Sequence, residues 1–228
     1  MVHEDGAQLN AEVSLNSPET ILWEVDVQAD FMLPGGKLYV LGAEEIVVNV
    51  STLVDIAREG RAFLVSSADA HDPDDPELRH WPPHCLKGTS GADLLNEACA
   101  SPRLIVPNQK GFALPQDVRT YRQVTLEKNT LDVFNNPNTD VLLNSIVTAS
   151  LSAFGVGPQF FVFGVATEYC VRSTVEGLLR RGHLVAIVTD AVRPINQEKG
   201  QQVLDSLRFE GARLTATRET LALVGGAS

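Results

Sequence analysis

The segment QFFVFGVATEYCVRSTVEGLLRRG (159–182) predicts a strand, a turn and a helix in immediate succession. Its opening run, QFFVFGVA, is largely apolar and predicts a strand over 159–166. The residues that follow predict a helix over 171–182, which ends at Gly182, a residue type that commonly closes helices. A strand that leads directly into a helix is the repeating unit of a parallel sheet.

The same alternation continues on both sides of this segment. Further strands are predicted over 21–28, 61–68, 124–128, 183–191 and 213–217, and further helices over 44–60, 139–155 and 197–211. Residues 69–120 lack such a pattern and are rich in Asp, Pro and Gly. We therefore predict a three-layer α/β/α domain with a mostly parallel central sheet over 21–228, behind an acidic leader over 1–20.

The composition is that of an ordinary globular protein, and it excludes several classes. The chain has 228 residues, of which 44% are hydrophobic and 21% charged, and its formal net charge is −11. So acidic a chain lacks the basic face that nucleic acid binding needs, and it has no run of about 18 apolar residues to span a membrane. Three cysteines are too few for a disulfide framework, and the N-terminus lacks a signal-peptide pattern, so we expect a cytoplasmic protein.

Four chemically active side chains end predicted strands: Asp26, Asp69, Lys128 and Cys170. Because ligands bind beyond the carboxyl ends of parallel strands, we expect these four side chains to lie together at a site. A thiol at a helix N-terminus is stabilised as a thiolate, and it also needs a base and a cation, which Asp26 and Lys128 supply. Each residue alone also fits a capping, solvated or core role, so the residues suggest a cysteine hydrolase without requiring one.

A second pattern lies in the segment SADAHDPDDPELRHWPPHC (67–85). Asp69 and His71 form a D-x-H pair, and His84 follows a W-P-P sequence. Two imidazoles and a carboxylate are a common ligand set for a divalent ion. Loops that contain Asp and His are also common without a metal, so the spacing alone leaves both interpretations open.

Three motifs in order, DVQADF (26–31), KNTLDVF (128–134) and GVATEYCV (164–171), resemble those of the isochorismatase-like cysteine hydrolases over roughly residues 21–217. The resemblance implies the fold of that family and makes Asp26, Lys128 and Cys170 the catalytic residues. It also implies a cis peptide bond between Val165 and Ala166. In that family the N–H groups of the residues at Ala166 and Cys170 form the oxyanion hole, which stabilises a tetrahedral intermediate.

The D-x-H pair followed by W-P-P-H-C resembles the nicotinamidase (pyrazinamidase) branch of that family. The resemblance implies one bound divalent metal ion, which would be Zn, Mn or Fe. The ligands so implied are Asp69, His71 and His84, with a fourth from the intervening loop, for which we choose Glu77 over His80 and Asp75. The branch also places aromatic side chains against the pyridine ring of its substrate. The resemblance assigns this role to Phe31 and Trp81, with Val165 beside them. Without the resemblance, Phe31 and Trp81 fit a position in the hydrophobic core equally well.

The implied reaction is the hydrolysis of nicotinamide to nicotinate and ammonia through a thioester, in an enzyme that forms homo-oligomers. Three alternatives stay open. The protein could act on another small amide such as a ureide or a pyrazine carboxamide, it could be an isochorismatase proper, or it could be a binding protein without catalysis. If the protein were an isochorismatase, the D-x-H segment would have no function. The stretch over 86–122 is longer than in compact nicotinamidases, and its role and that of the leader are unassigned.

Overall fold

The computed structural model describes residues 18–225, so most of the predicted leader lies outside the described residues. Within this part of the chain, seven strands form one sheet, and every pair of neighbours in it is parallel. The strands are β1 (Thr20–Val25), β2 (Phe63–Asp69), β3 (Arg103–Val106), β4 (Gln123–Lys128), β5 (Gln159–Val165), β6 (Leu184–Arg193) and β7 (Arg213–Thr215). The parallel sheet confirms the predicted fold class. The prediction of a single domain over 21–228 stays a prediction.

Helices cover both faces of the sheet. They are α1 (Ala29–Met32), α2 (Val47–Arg58), α3 (Thr139–Phe154), α4 (Arg172–Arg180), α5 (Gln197–Phe209) and α6 (Thr217–Gly225). Residues of α3, α4 and α5 share one hydrophobic cluster with one face of the sheet, and residues of α2 and α6 share a second cluster with the other face. No helix in the described range 18–225 is long and apolar enough to cross a membrane.

The central strand β1 shows why the sheet is buried on both sides. Trp23 and Val25 belong to the first cluster and Leu22 to the second, because successive side chains of a strand point to opposite faces. All three are almost fully buried. A strand enclosed in this way is mostly apolar, and β1 departs from that pattern only at Thr20 and at the buried Glu24, which accepts a hydrogen bond from the Ser66 hydroxyl at 3.2 Å.

The strand order is β3-β4-β2-β1-β5-β6-β7, so the chain reverses its direction of travel across the sheet beside β1. Strands β2 to β4 lie on one side of β1, and β5 to β7 lie on the other. The connections that leave β1 and β5 therefore diverge, and a crevice opens beyond the carboxyl ends of the central strands.

Three elements depart from the predicted pattern. Helix α1 follows β1 where no helix is predicted, the stretch 69–120, which lacks a regular pattern in the sequence, contains the edge strand β3, and the helix α6 follows the last strand. Strand β3 has four residues, of which Arg103 and Ile105 are exposed. A strand of four residues is too short to produce a recognisable period.

Candidate functional site

The four predicted strand-end residues lie on four adjacent strands. Lys128 ends β4, Asp69 ends β2, Asp26 follows β1, and Cys170 lies in a π-helical turn (Thr167–Val171) that joins β5 to α4. All four side chains are buried, and even the lysine is only 1% exposed. The sheet therefore brings together the residues that the alternation of strands and helices predicted to be neighbours.

The ammonium group of Lys128 is the centre of this cluster. Its nitrogen lies 2.8 Å from Asp26 Oδ2 and 3.6 Å from the sulfur of Cys170, and it also donates a hydrogen bond to Asp69 Oδ1. Burial acts to lower the pKa of Lys128, but Asp26 and Asp69 outweigh it and raise the pKa well above its ordinary value. The lysine is therefore a fixed positive charge between two carboxylates and a thiol.

Asp26 is held in place by the neighbouring strand. Its φ of 54° lies in the left-handed region, which residues other than glycine seldom adopt. The Ser67 hydroxyl donates to Asp26 Oδ1 at 3.0 Å, and the Asp26 N–H donates to the Ser67 carbonyl at 3.0 Å. Burial raises the pKa of Asp26 to about 6, an effect that Lys128 only partly offsets. The carboxylate is thus a stronger base than an exposed aspartate, yet it is largely ionised at neutral pH.

The surroundings of Cys170 favour its neutral thiol over the thiolate. Burial raises the pKa of Cys170 well above its ordinary value, although the charge of Lys128 opposes the rise. A neutral thiol is a weak nucleophile, and it reacts readily only when a neighbouring base takes its proton. Asp26 is the neighbouring group with a pKa suited to that transfer.

The strand that leads to Cys170 approaches β1 very closely. Gly164 has a φ of 120°, and a Cβ atom at this position would lie 2.0 Å from the carbonyl oxygen of Val25. Glycine is therefore required here. The peptide bond between Val165 and Ala166 is cis, as the motif resemblance implies, and both residues line the same cavity as Cys170.

Asp69, His71 and His84 form a cluster in which the potential ligand atoms lie within 4.8 Å of one another. Oδ2 of Asp69 is 3.6 Å from Nε2 of His71 and 3.4 Å from Nε2 of His84. All three side chains are buried. Burial acts to raise the pKa of Asp69, but Lys128 and the two histidines hold it well below its ordinary range, so the carboxylate is ionised.

The hydrogen bonds behind the two imidazoles fit a metal ion. His84 Nδ1 donates to the Pro82 carbonyl at 2.7 Å, and His71 Nδ1 lies 3.2 Å from a carboxylate oxygen of Asp75. Both rings therefore direct Nε2 towards Asp69, and Nε2 of His71 is buried without a hydrogen-bond partner. Metal-binding histidines commonly donate their other N–H to a carbonyl or carboxylate in this way. These residues thus suit a divalent cation.

The three predicted choices for a fourth ligand occupy different positions. Glu77 lines the cavity and is half-buried, but the cluster of Asp69, His71 and His84 does not include it. Asp75 lies behind His71 and also accepts a hydrogen bond from Asn129 at 3.1 Å. His80 is exposed. Glu77 stays the predicted fourth ligand, whereas Asp75 supports a ligand from behind.

A cavity lies against these groups. Nine predicted site residues line it: Asp26, Phe31, Asp69, Glu77, Trp81, His84, Val165, Ala166 and Cys170. The Phe31 ring lies 5.3 Å from the His84 ring, and the edge of Trp81 meets Tyr169 at 5.2 Å between ring centroids. Both aromatic residues are therefore positioned on the cavity wall.

Sequence reasoning missed five residues of the wall. They are Leu38, Val40, Leu131, Tyr169 and Ile195. Tyr169 precedes Cys170 directly, so its position in the sequence beside a predicted site residue was a usable signal. The others are apolar residues in connecting segments, where no periodic pattern shows which side chains turn inwards.

Comparison with known proteins agrees with this geometry. The isochorismatase domain model matches residues 20–219. The nicotinamidase/pyrazinamidase of Mycobacterium tuberculosis is 26% identical over 200 residues, which cover 85% of this chain and 96% of that protein. The nicotinamidase of Saccharomyces cerevisiae is 24% identical over 216 residues, which cover 82% of this chain and 92% of that protein. The crystal structure of a Pyrococcus horikoshii pyrazinamidase in complex with zinc is 27% identical, with a TM-score of 0.66 over 87% of this chain and 99% of that one.

The family match spans nearly all of the residues that the structure describes, and it includes all three motifs. It therefore confirms the resemblance to isochorismatase-like hydrolases, and the nicotinamidase relatives confirm the resemblance to that branch. The chain belongs to the isochorismatase domain family and is an amidohydrolase related to the nicotinamidases.

Proposed function

We propose that this protein hydrolyses nicotinamide to nicotinate and ammonia, with Cys170 as the nucleophile. The observation that carries the proposal is the position of Lys128 between Asp26 and the sulfur of Cys170, beside a cavity that Asp26 and Cys170 line together with Asp69 and His84 of the Asp69, His71 and His84 cluster. The nicotinamidase relatives support the choice of substrate.

In the first half of the reaction, the thiol of Cys170 gives its proton to Asp26 as the sulfur attacks the amide carbonyl. Lys128 stabilises the negative charge that develops on the sulfur. The N–H groups of Ala166 and Cys170 are assigned to the oxyanion that forms on the carbonyl oxygen. The C–N bond then breaks, and Asp26 returns its proton to the leaving nitrogen, which departs as ammonia.

In the second half, a water molecule gives a proton to Asp26 and attacks the thioester carbon. The C–S bond breaks, Cys170 takes the proton back, and nicotinate is released. Asp69, His71 and His84, with Glu77 as the proposed fourth ligand, would hold a divalent ion, which would supply a Lewis acid for the pyridine nitrogen of the substrate. We assign the flanking of the ring to Phe31 and Trp81, with Val165 beside the reacting carbonyl.

The test is ammonia release from nicotinamide, measured for the wild type and for Cys170→Ala. The control is Cys99→Ala, because Cys99 is a half-buried thiol outside the cavity wall. We expect the first variant to lose turnover and the second to keep it. Turnover that survives in Cys170→Ala would overturn the nucleophile assignment.

A panel of small amides tests the substrate. We expect nicotinamide and pyrazine carboxamide to be turned over and a linear ureide to be a poor substrate, because the wall is largely apolar and aromatic. The opposite order would favour a different amidohydrolase of the same fold. Elemental analysis of the purified protein distinguishes Zn, Mn and Fe, and light scattering tests the proposed homo-oligomer.

A further inference from the structure

Asp30 is a buried carboxylate that the proposed mechanism does not use. It is the second aspartate of the DVQADF motif, lies in α1, and is 7% exposed. Its two oxygens accept hydrogen bonds from two different segments. The Lys37 N–H donates to Oδ1 at 3.0 Å, and the Cys85 N–H donates to Oδ2 at 2.7 Å.

The first segment that Asp30 holds lies next to the two histidines of the proposed metal site, His71 and His84. Cys85 follows His84 directly and has a φ of 44°, in the left-handed region. The carbonyl of Cys85 accepts the N–H of His71 at 3.1 Å. The backbone of Cys85 is therefore hydrogen-bonded to both Asp30 and His71, directly beside His84.

The second segment held by Asp30 contributes to the wall of the cavity. Besides the side-chain bond to Lys37, the Asp30 carbonyl accepts the Leu38 N–H at 3.1 Å. The Phe31 carbonyl accepts the Val40 N–H at 2.9 Å. Leu38, Val40 and Phe31 all line the cavity. One carboxylate thus connects the substrate wall to the metal cluster.

Gly91 packs directly against the carboxylate of Asp30. A Cβ atom on Gly91 would lie 2.2 Å from Asp30 Oδ2. The Cys85 thiol donates to the Gly91 carbonyl at 3.8 Å, so the same turn packs against the carboxylate from another side. An alanine at position 91 could be accommodated only if the Asp30 side chain moved.

We propose that Asp30 is a positioning residue that sets the geometry of the metal ligands and of the substrate wall together. The inference rests on the proposed function, since it assumes that the Asp69, His71 and His84 cluster binds a divalent ion. Asp30 touches neither the proposed substrate nor the ion, so its effect passes through Cys85 and Lys37. Loss of one of its two hydrogen bonds should therefore weaken metal binding and substrate binding while it leaves Asp26, Lys128 and Cys170 in place.

The experiment compares Asp30→Asn with the wild type. An asparagine side chain has one acceptor oxygen and one NH₂ group, so it can no longer accept from both backbone N–H groups. Zinc affinity is measured on chelator-stripped, substrate-free protein by competition with a chromophoric chelator. We expect zinc binding about tenfold to a hundredfold weaker, in the range seen when a supporting residue of a metal ligand is lost. At saturating zinc, KM for nicotinamide should rise more than kcat falls.

Asp117→Asn is the matched control. Asp117 also accepts a backbone N–H, that of Arg119 at 2.8 Å, but in a turn away from the cavity. Its zinc affinity and KM should equal those of the wild type. Gly91→Ala is the second variant, because it disturbs the same carboxylate without changing its charge. If Asp30→Asn does not fold, Gly91→Ala must show the weaker zinc binding.

Failure of the inference about Asp30 and failure of the proposed metal centre would give different results. A wild-type protein that binds zinc, together with a folded Asp30→Asn or Gly91→Ala variant of unchanged zinc affinity, would overturn the inference alone. That holds even if the variant melts at a lower temperature, because a purely structural role lowers stability without changing the affinity of the folded protein. A wild-type protein that binds no divalent ion would overturn the proposed metal centre, and the inference with it.

Discussion

The side-chain nitrogen of Lys128 lies 3.6 Å from the sulfur of Cys170. At that distance an ammonium group stabilises a thiolate strongly, because both groups are buried and water does not screen them. The same nitrogen also forms ion pairs with Asp26 and Asp69. Its positive charge therefore interacts with two carboxylates and with a thiol that can ionise. The lysine thus supports both the structure of the site and the proposed chemistry.

Replacement of Lys128 by Met should lower both stability and activity. Methionine keeps most of the apolar stem, but Asp26 and Asp69 would then be buried without their cation. Removal of one partner from a buried ion pair typically costs about 3–5 kcal/mol. We expect a loss of that size in the free energy of unfolding measured in urea, and loss of nicotinamide turnover.

Lys87→Met is the control for this prediction. Lys87 pairs with Asp72 at 2.7 Å, and both side chains are about half exposed. Exposed pairs contribute about 0–1 kcal/mol, so this variant should unfold close to the wild-type urea concentration. Equal losses in the two lysine variants would contradict the view that burial makes the Lys128 network important.

The pH profile should report the ionisation of Asp26. Burial raises the pKa of Asp26 to about 6, so the carboxylate can accept the thiol proton above that pH and is itself protonated below it. We therefore expect kcat/KM for nicotinamide to fall about tenfold per pH unit below pH 6, as for a single essential base. The measurement needs saturating metal, with the metal content checked at each pH.

Asp26→Asn provides the comparison. An amide cannot accept the proton, so this variant should have greatly reduced activity and no acid limb near pH 6. A wild-type profile that stayed level down to pH 5 would contradict the assignment of Asp26 as the base.

The positions of the central site residues could be predicted because they depend on the fold class alone. Asp26, Asp69, Lys128 and Cys170 each follow an apolar run, and the carboxyl ends of parallel strands meet at one edge whatever the details of packing. The structure places them on neighbouring strands, as that rule requires. Their catalytic and ligand roles stay predictions, which the variants above test.

Other features could not be predicted because they depend on register or on contacts between loops. Ser67 reaches Asp26 because Val25 pairs with Ser67 between β1 and β2, and nothing in either strand's own pattern shows that pairing. Asp75 supports His71 because Asn129, from the loop after β4, fixes its other oxygen. Sequence spacing alone could not separate Asp75 from Glu77 as a metal ligand.

Asp75→Asn should weaken metal binding without removing a ligand. The carboxylate of Asp75 contacts Nδ1 of His71 at 3.2 Å and so fixes the direction of Nε2. An asparagine can present its NH₂ group to that nitrogen and allow the other tautomer, which disfavours the orientation that a metal needs. We expect zinc affinity to fall about tenfold, measured by chelator competition on stripped protein.

Asp74→Asn is the control for that prediction, because Asp74 is an exposed neighbour in the same acidic loop. If the two variants lost zinc affinity equally, the general charge of the loop would be responsible, and the specific contact between Asp75 and His71 would not.

Gly164→Ala should be among the most damaging small substitutions in the chain. The added Cβ would lie 2.0 Å from the Val25 carbonyl oxygen, and that atom belongs to the backbone of the central strand, so it cannot move aside like the end of a flexible side chain. The φ of 120° is also one that alanine rarely adopts. Overpacking and an unfavourable φ together should cost at least about 2 kcal/mol in the free energy of unfolding.

Gly157→Ala is the matched control, since no atom lies within 4 Å of its Cβ position, and it should change stability little. Because β1 and β5 carry Asp26 and Cys170, forcing these strands apart should also reduce turnover in any Gly164→Ala protein that folds. A stable and fully active Gly164→Ala protein would show that the close approach of the two strands is dispensable.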